Sequence, residues 1–264
     1  MDKDDNIGLV FSGGGSRGSY QIGVWQALID MGLADKISAV YGTSVGAING
    51  AAFVQGNVQL ALDIWQNINY AKVFADVPSE RPRVSNRKLY LSWLKGALRN
   101  KGLDVSPLKD TIRTSLDEDL IRNSSSDFGL VTFDLKKRKA LYLTKEDIPE
   151  GQLIEYIIAS ATFPVFQPHR IEDRLFLDGG LVDNRPLSFF KNNTVINKII
   201  VVDVTMARHV WPNIRVKGDI DMHYVRPSRL VGSPMAFNHK RIISNLEMGY
   251  QDGRKQLARI RIGK

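Results

Sequence analysis

Along this chain, apolar residues come in two patterns, short continuous runs and stripes at helical spacing. Ile7-Gly8-Leu9-Val10-Phe11 is a brief apolar run followed by glycines, which predicts a buried strand. Ile22, Trp25, Leu28 and Ile29 recur at helical spacing and predict a helix over 19–31. Ser38-Ala39-Val40-Tyr41 predicts the next strand, and residues 45–55 the next helix. Asp127–Asp134 and Lys139–Thr144 predict a hairpin that turns through Lys136-Lys137-Arg138. Residues 152–161 predict another helix and Arg174–Leu177 a short strand. Lys198–Val204, which contains Ile199-Ile200-Val201-Val202, is the expected central strand. Over 239–261 one helical stripe carries Ile242, Ile243, Leu246, Tyr250 and Leu257. This alternation predicts an α/β fold, with a mostly parallel central sheet sandwiched by helices. No repeat, low-complexity tract or linker divides the chain, so a single domain over 1–264 is expected.

Composition narrows the function classes. A chain of 264 residues can bury a full core as one large domain. No run reaches the ~18 apolar residues of a membrane span. The start, Met1-Asp2-Lys3-Asp4-Asp5-Asn6, is polar with no apolar signal core behind it, so a cytoplasmic protein is expected. The chain has no cysteine, which excludes a disulfide framework, a thiolate nucleophile and thiolate metal sites. Its net charge of +8 favours an anionic partner, such as a phospholipid surface or nucleic acid. Basic residues concentrate at Arg81, Arg83, Arg87, Lys88, Lys95, Arg99 and Lys101, with no acidic residue between them. At helical spacing Lys88, Lys95 and Arg99 share a face with Ser92, opposite Tyr90, Trp93, Leu94, Ala97 and Leu98. Two readings stand: peripheral contact with an anionic membrane through residues 86–101, or a surface helix whose apolar face packs on the core.

Three short segments carry candidate chemistry. In Gly42-Thr43-Ser44-Val45-Gly46 the serine lies between a predicted strand and a predicted helix, as a nucleophile elbow requires. Such a turn forces the serine to positive φ, and Gly42 and Gly46 remove side chains that would clash. The helix that follows directs its positive end at an oxyanion. Gly13-Gly14-Gly15-Ser16-Arg17-Gly18 matches a dinucleotide fingerprint in its spacing. The second strand, however, ends in Tyr41-Gly42-Thr43-Ser44 and supplies no acidic residue for a ribose, and no lysine follows Gly18 as a P-loop needs. What remains is a cradle of backbone N–H groups aimed at developing negative charge. Asp178-Gly179-Gly180 places a carboxylate after Leu175-Phe176-Leu177, and the glycines permit close approach to another loop. Aspartate can take the serine proton directly if its surroundings raise its basicity. The four histidines are His169, His209, His223 and His239. His209 or His223 could serve a Ser–His arrangement, but neither has motif context, and His169 reads as a structural or rim residue.

These segments, with Ala159-Ser160-Ala161-Thr162-Phe163-Pro164 and with Asn184 and Pro186 behind Asp178-Gly179-Gly180, resemble the patatin-like phospholipases in order and approximate spacing. The motifs span residues 7 to 190. The resemblance implies a Ser–Asp dyad acting on acyl esters of lipids, with no metal and no cofactor. It makes Ser44 the nucleophile, Asp178 the base and the amides of Gly13, Gly14 and Gly15 the oxyanion donors. Gly18, Gly42, Gly46, Gly179 and Gly180 support the motifs. Family members often carry Asp where this chain has Ser12, a position outside the dyad. The expected partner is a lipid or phospholipid substrate, with no nucleic acid. The alternatives are an acyltransferase on the same dyad and a non-catalytic protein that binds anionic lipid or nucleic acid.

Overall fold

The apolar run at the start forms β1 (Ile7–Phe11), with every residue buried. It belongs to a computed structural model that describes residues 6–75, 102–192, 195–205, 220–258 and 260. The basic segment 81–101 and His209 lie outside the described residues. After β1 come α1 (Ser19–Asp30), β2 (Ile37–Thr43), α2 (Val45–Gln55) and α3 (Val58–Asn67). Next are α4 (Ser106–Ser115), α5 (Glu118–Asn123), the hairpin β3 (Asp127–Asp134) and β4 (Lys139–Thr144), and α6 (Leu153–Ser160). The chain closes with β5 (His169–Ile171), β6 (Arg174–Asp178), β7 (Lys198–Val202), β8 (Asp221–Val225) and α7 (His239–Leu257).

The eight strands of the described residues join one sheet in the order β5-β6-β3-β2-β1-β7-β8, with β4 paired to β3 off this path. The pairs β3–β2, β2–β1, β1–β7 and β7–β8 are parallel. The expectation of a mostly parallel sheet holds for these strands. Antiparallel pairing is confined to the far edge, where β4, β5 and β6 pair. Short turns join β3 to β4 and β5 to β6, and a short turn can only return the chain antiparallel, while β6 meets β3 antiparallel across a long connection. Lys198–Val202 is an inner strand, but the middle of the order is β2 rather than β7. Its apolar run reports burial on both faces, which every inner parallel strand shares.

Side chains alternate across the sheet and divide the core in two. Leu9, Phe11, Val40, Ile200 and Val202 join the larger cluster with the apolar faces of the helices. Val10, Ala39, Tyr41, Ile199 and Val201 join the smaller one, covered by Leu187 and Phe190 of a 3-10 segment, Leu187–Asn192.

Candidate active site

One edge of β3 brings two chain ends together. Residues 127–131 of β3 pair with β2, and the register ends with Thr43 opposite Val131. At the next residue the same edge passes to β6, with Asp178 opposite Thr132. Because β4 occupies the other edge of β3, β2 and β6 share this one. Since β2 runs parallel and β6 antiparallel to β3, their C-terminal ends meet there. Ser44 follows the end of β2, and Asp178 is the end of β6.

Ser44 adopts φ 59° and ψ −130° before α2 begins, the positive-φ turn that the elbow requires. A Cβ on Gly42 would collide with the carbonyl of Gly46, and one on Gly46 with the carbonyl of Phe11. The turn therefore accepts only glycine on both sides of the serine. The N–H of Ser44 donates to Ser160 Oγ at 3.0 Å, and Ser160 donates to the Val131 carbonyl at 2.7 Å. Two residues on, the Thr162 carbonyl accepts from the Asp178 N–H at 2.7 Å. The short segment that ends α6 thus holds both Ser44 and Asp178, which gives the Ala159–Pro164 motif a physical role.

Asp178 is buried, with 3% of its surface exposed. The N–H of Gly180 donates to its Oδ1 at 2.7 Å, and the Ser44 hydroxyl lies near enough to the carboxylate to lower its pKa. Burial pushes its pKa up to about 6, against the lowering effect of the Ser44 hydroxyl and the Gly180 N–H. The group is ionised at neutral pH and is a far better proton acceptor than an ordinary carboxylate.

The glycine loop lies on the other side of Ser44. A Cβ on Gly13 would press on the side chain of Asn184 and on Ser44 Cβ. The N–H of Gly13 donates to the Asn184 carbonyl at 3.2 Å, while Asn184 Nδ2 donates to the Gly13 carbonyl at 3.2 Å. This two-bond clamp ties the loop to the aspartate segment. It also corrects the expectation of three amide donors, because the Gly13 N–H is already engaged. The N–H groups of Gly14 and Gly15 have no partner among the described residues. Ser12, where the chain departs from the family pattern, accepts from the Val204 N–H at 2.9 Å. Behind the loop, Gln21 donates to the Ser12 carbonyl, Asn49 of α2 donates to Gln21 and to the Gly18 carbonyl, and Trp65 donates to Asn49. Loop, α2 and α3 are therefore held as one unit.

Gly13, Gly14, Gly15, Ser44 and Asp178 all border one cavity of about 590 Å3. Its walls are largely apolar and come from α2, α3, α4, the Phe163–Phe166 stretch, and Met235 and Phe237. Arg17 and Asp178 are the charged residues among the described lining, and Arg17 Nε donates to the Gly232 carbonyl at 2.8 Å.

The described histidines border this cavity nowhere. His169 donates to Glu155 at 2.8 Å, and Arg113 grips Glu155 at 2.8 and 3.0 Å. Burial, with Lys109 nearby, pulls His169 down to about 4. It is a neutral strut between β5 and α6, as its sequence context suggests. His223 bonds Asp221, and His239 begins α7 with Nδ1 near the Gln66 carbonyl. Among the described residues no group of three or more His, Asp or Glu could hold a metal ion, and no helix is long and apolar enough to cross a membrane.

Comparison with known proteins gives a consistent result. A family model described as patatin-like phospholipase matches residues 9–191. Lysophospholipase nte1 of Aspergillus terreus is 29% identical over 189 residues, 70% of this chain and 11% of that protein. An uncharacterized NTE family protein of Mycobacterium tuberculosis is 26% identical over 217 residues, 79% of this chain and 53% of that protein. The chain thus spans about a tenth of the fungal relative and half of the mycobacterial one. Among solved structures, VipD from Legionella pneumophila matches with a TM-score of 0.59 at 14% identity, covering 96% of this chain and 67% of that one. Human GIVD cytosolic phospholipase A2 also matches at 0.59, with 9% identity, 97% of this chain and 62% of that one. At these identities the two structures establish likeness of fold.

Proposed function

The chain belongs to the patatin-like phospholipase family, and from that premise we propose that it hydrolyses fatty-acyl esters of lipids through Ser44 and Asp178. The observation that carries this reading is Ser44, on its positive-φ turn, set beside a buried carboxylate raised to about 6 at the wall of an apolar cavity. Ser44 Oγ attacks the ester carbonyl carbon as its proton passes to Asp178. The Gly14 and Gly15 N–H groups and the N-terminal end of α2 stabilise the tetrahedral oxyanion. Collapse breaks the ester bond, and the departing alkoxide takes the proton from Asp178. Water then attacks the acyl-Ser44 carbonyl and gives its proton to Asp178. Collapse returns that proton to Ser44 Oγ and frees the fatty acid.

A single-chain phospholipid is the preferred substrate class. The name of the fungal relative supports this choice. Two measurements test the reading together. An alkyl fluorophosphonate should label the protein at Ser44 alone, and fatty-acid release from lysophosphatidylcholine should vanish in Ser44→Ala. Release that persists in Ser44→Ala would overturn it.

A further inference from the structure

The helix that follows the nucleophile is buried almost all round. Of its 11 residues, all but Ile48, Ala52 and Gln55 are buried. Those three follow Ser44 at intervals of four, four and three residues, a single stripe along one face. All four border the cavity. The facing helices contribute matching stripes, with Leu60 and Ile64 on α3 and Leu108 and Ile112 on α4. The cavity therefore runs beside α2 from the nucleophile to the helix end. There, Gln55 donates to the Ser115 carbonyl at 3.2 Å and accepts from the Asp117 N–H at 2.8 Å. This polar tie joins two elements of the wall where the apolar stripe stops.

We propose that the half-buried stripe of α2 along the cavity is a ruler that sets the length of the acyl chain bound there, with Ala52 as the gauge. This deepens the acyl-ester reading and rests on it for its meaning. At 1.5 Å per residue, α2 spans about 16 Å. One leaflet of a bilayer offers its acyl chains about 15 Å, half of a ~30 Å core. An extended chain advances roughly 1.3 Å per carbon, the projection of a ~1.5 Å bond. Ile48 then lies about five carbons from Ser44, Ala52 about nine, and the polar tie about twelve or more. The small side chain at 52 keeps the far half open.

The test uses neutral probes that need no turnover. Binding of saturated 1-alkanols from C6 to C14 is measured by calorimetry on the full chain. In the unmodified protein, affinity should rise roughly fourfold per carbon to about C12 and then level off. In Ala52→Trp the plateau should move to about C8, and in Ile48→Trp it should fall below C6. Ala52→Leu, a smaller intrusion, should lower the C14-to-C8 affinity ratio at least tenfold, and it serves if the larger side chain blocks folding. Affinities that climb to C14 in a folded Ala52 variant, or fall equally at every length, would overturn the ruler. Failure of the hydrolytic reading shows separately, as fatty-acid release that survives Ser44→Ala, and leaves the alkanol series to decide the ruler.

Discussion

Asp178→Asn should inactivate the protein and make it more stable. An ordinary aspartate titrates near 3.8, and burial holds Asp178 at about 6. At ~1.4 kcal/mol per pH unit, this gap means that the ionised carboxylate costs the fold about 3 kcal/mol at neutral pH. The sign follows from linkage: between 3.8 and about 6 the folded state binds more protons than the unfolded one, so stability falls as pH rises through that window. Above about 6 the cost is complete, and below 3.8 it is absent. Asparagine carries no charge, and its Oδ1 can still accept from the Gly180 N–H. The variant should therefore melt roughly 6–12 °C above the parent at pH 8. The difference should shrink as pH drops below 6 and disappear near pH 4. On the proposed dyad, ester turnover should fall by roughly 10⁴ or more, because a nucleophile and its base act as one unit. Calorimetry across pH 4–8 reads the first effect, and a short-chain ester assay the second. A variant no more stable than the parent at pH 8 would refute the buried-carboxylate argument, whatever its activity.

The same groups set the other expectations. In the parent, kcat/KM should rise with pH and level off above about 6 as Asp178 ionises, and a rise centred near 4 would remove the raised base. Ser44→Gly should be more stable than Ser44→Ala by roughly 1–2 kcal/mol, because glycine accepts φ 59° without strain; equal denaturation midpoints would show the turn to be unstrained. Ser160→Ala strips partners from the Ser44 N–H and the Val131 carbonyl. It should cost roughly 1–3 kcal/mol in urea unfolding and reduce turnover as well, and full activity would deny the segment its hold on the nucleophile.

What could be read from the sequence was whatever the backbone forces onto residue type. Gly42 and Gly46 are legible because a side chain at either position collides with a carbonyl. The hairpin Asp127–Thr144 has the predicted bounds because its alternation and its turn agree. The meeting of Ser44 and Asp178 was legible through the combination of motifs and the family resemblance, not through strand pairing. It depends on β6 taking over the edge of β3 where β2 leaves it, and no local pattern encodes that handover. The engagement of the Gly13 N–H was hidden as well, since it needs a carbonyl 171 residues away. The cavity walls were invisible for a different reason: apolar stripes on α3 and α4 read alike whether they face a core or an acyl chain.

The site concentrates unfavourable terms, and its surroundings explain how they are tolerated. Ser44 holds a strained backbone, Asp178 a buried charge, and α2 leaves one stripe facing an open cavity. Each would relax by a small movement: the turn flattening, the carboxylate moving toward water, the helices closing together. The first two movements are opposed by the same short segment. Ser160 grips the turn, Thr162 grips the strand end beside the carboxylate, and Thr132 of β3 donates to the Leu177 carbonyl at 2.9 Å. Collapse of the cavity is opposed by the chain Gln21–Asn49–Trp65, which sets α3 against α2, and by Gln55, which sets the α4 terminus against it. These are buried or half-buried bonds between rigid elements, so releasing any one leaves polar groups unpaired. The geometry that would make Ser44 nucleophilic thus persists because relaxing it costs more than maintaining it. A stabilising substitution at Ser44 or Asp178 should therefore be an inactivating one.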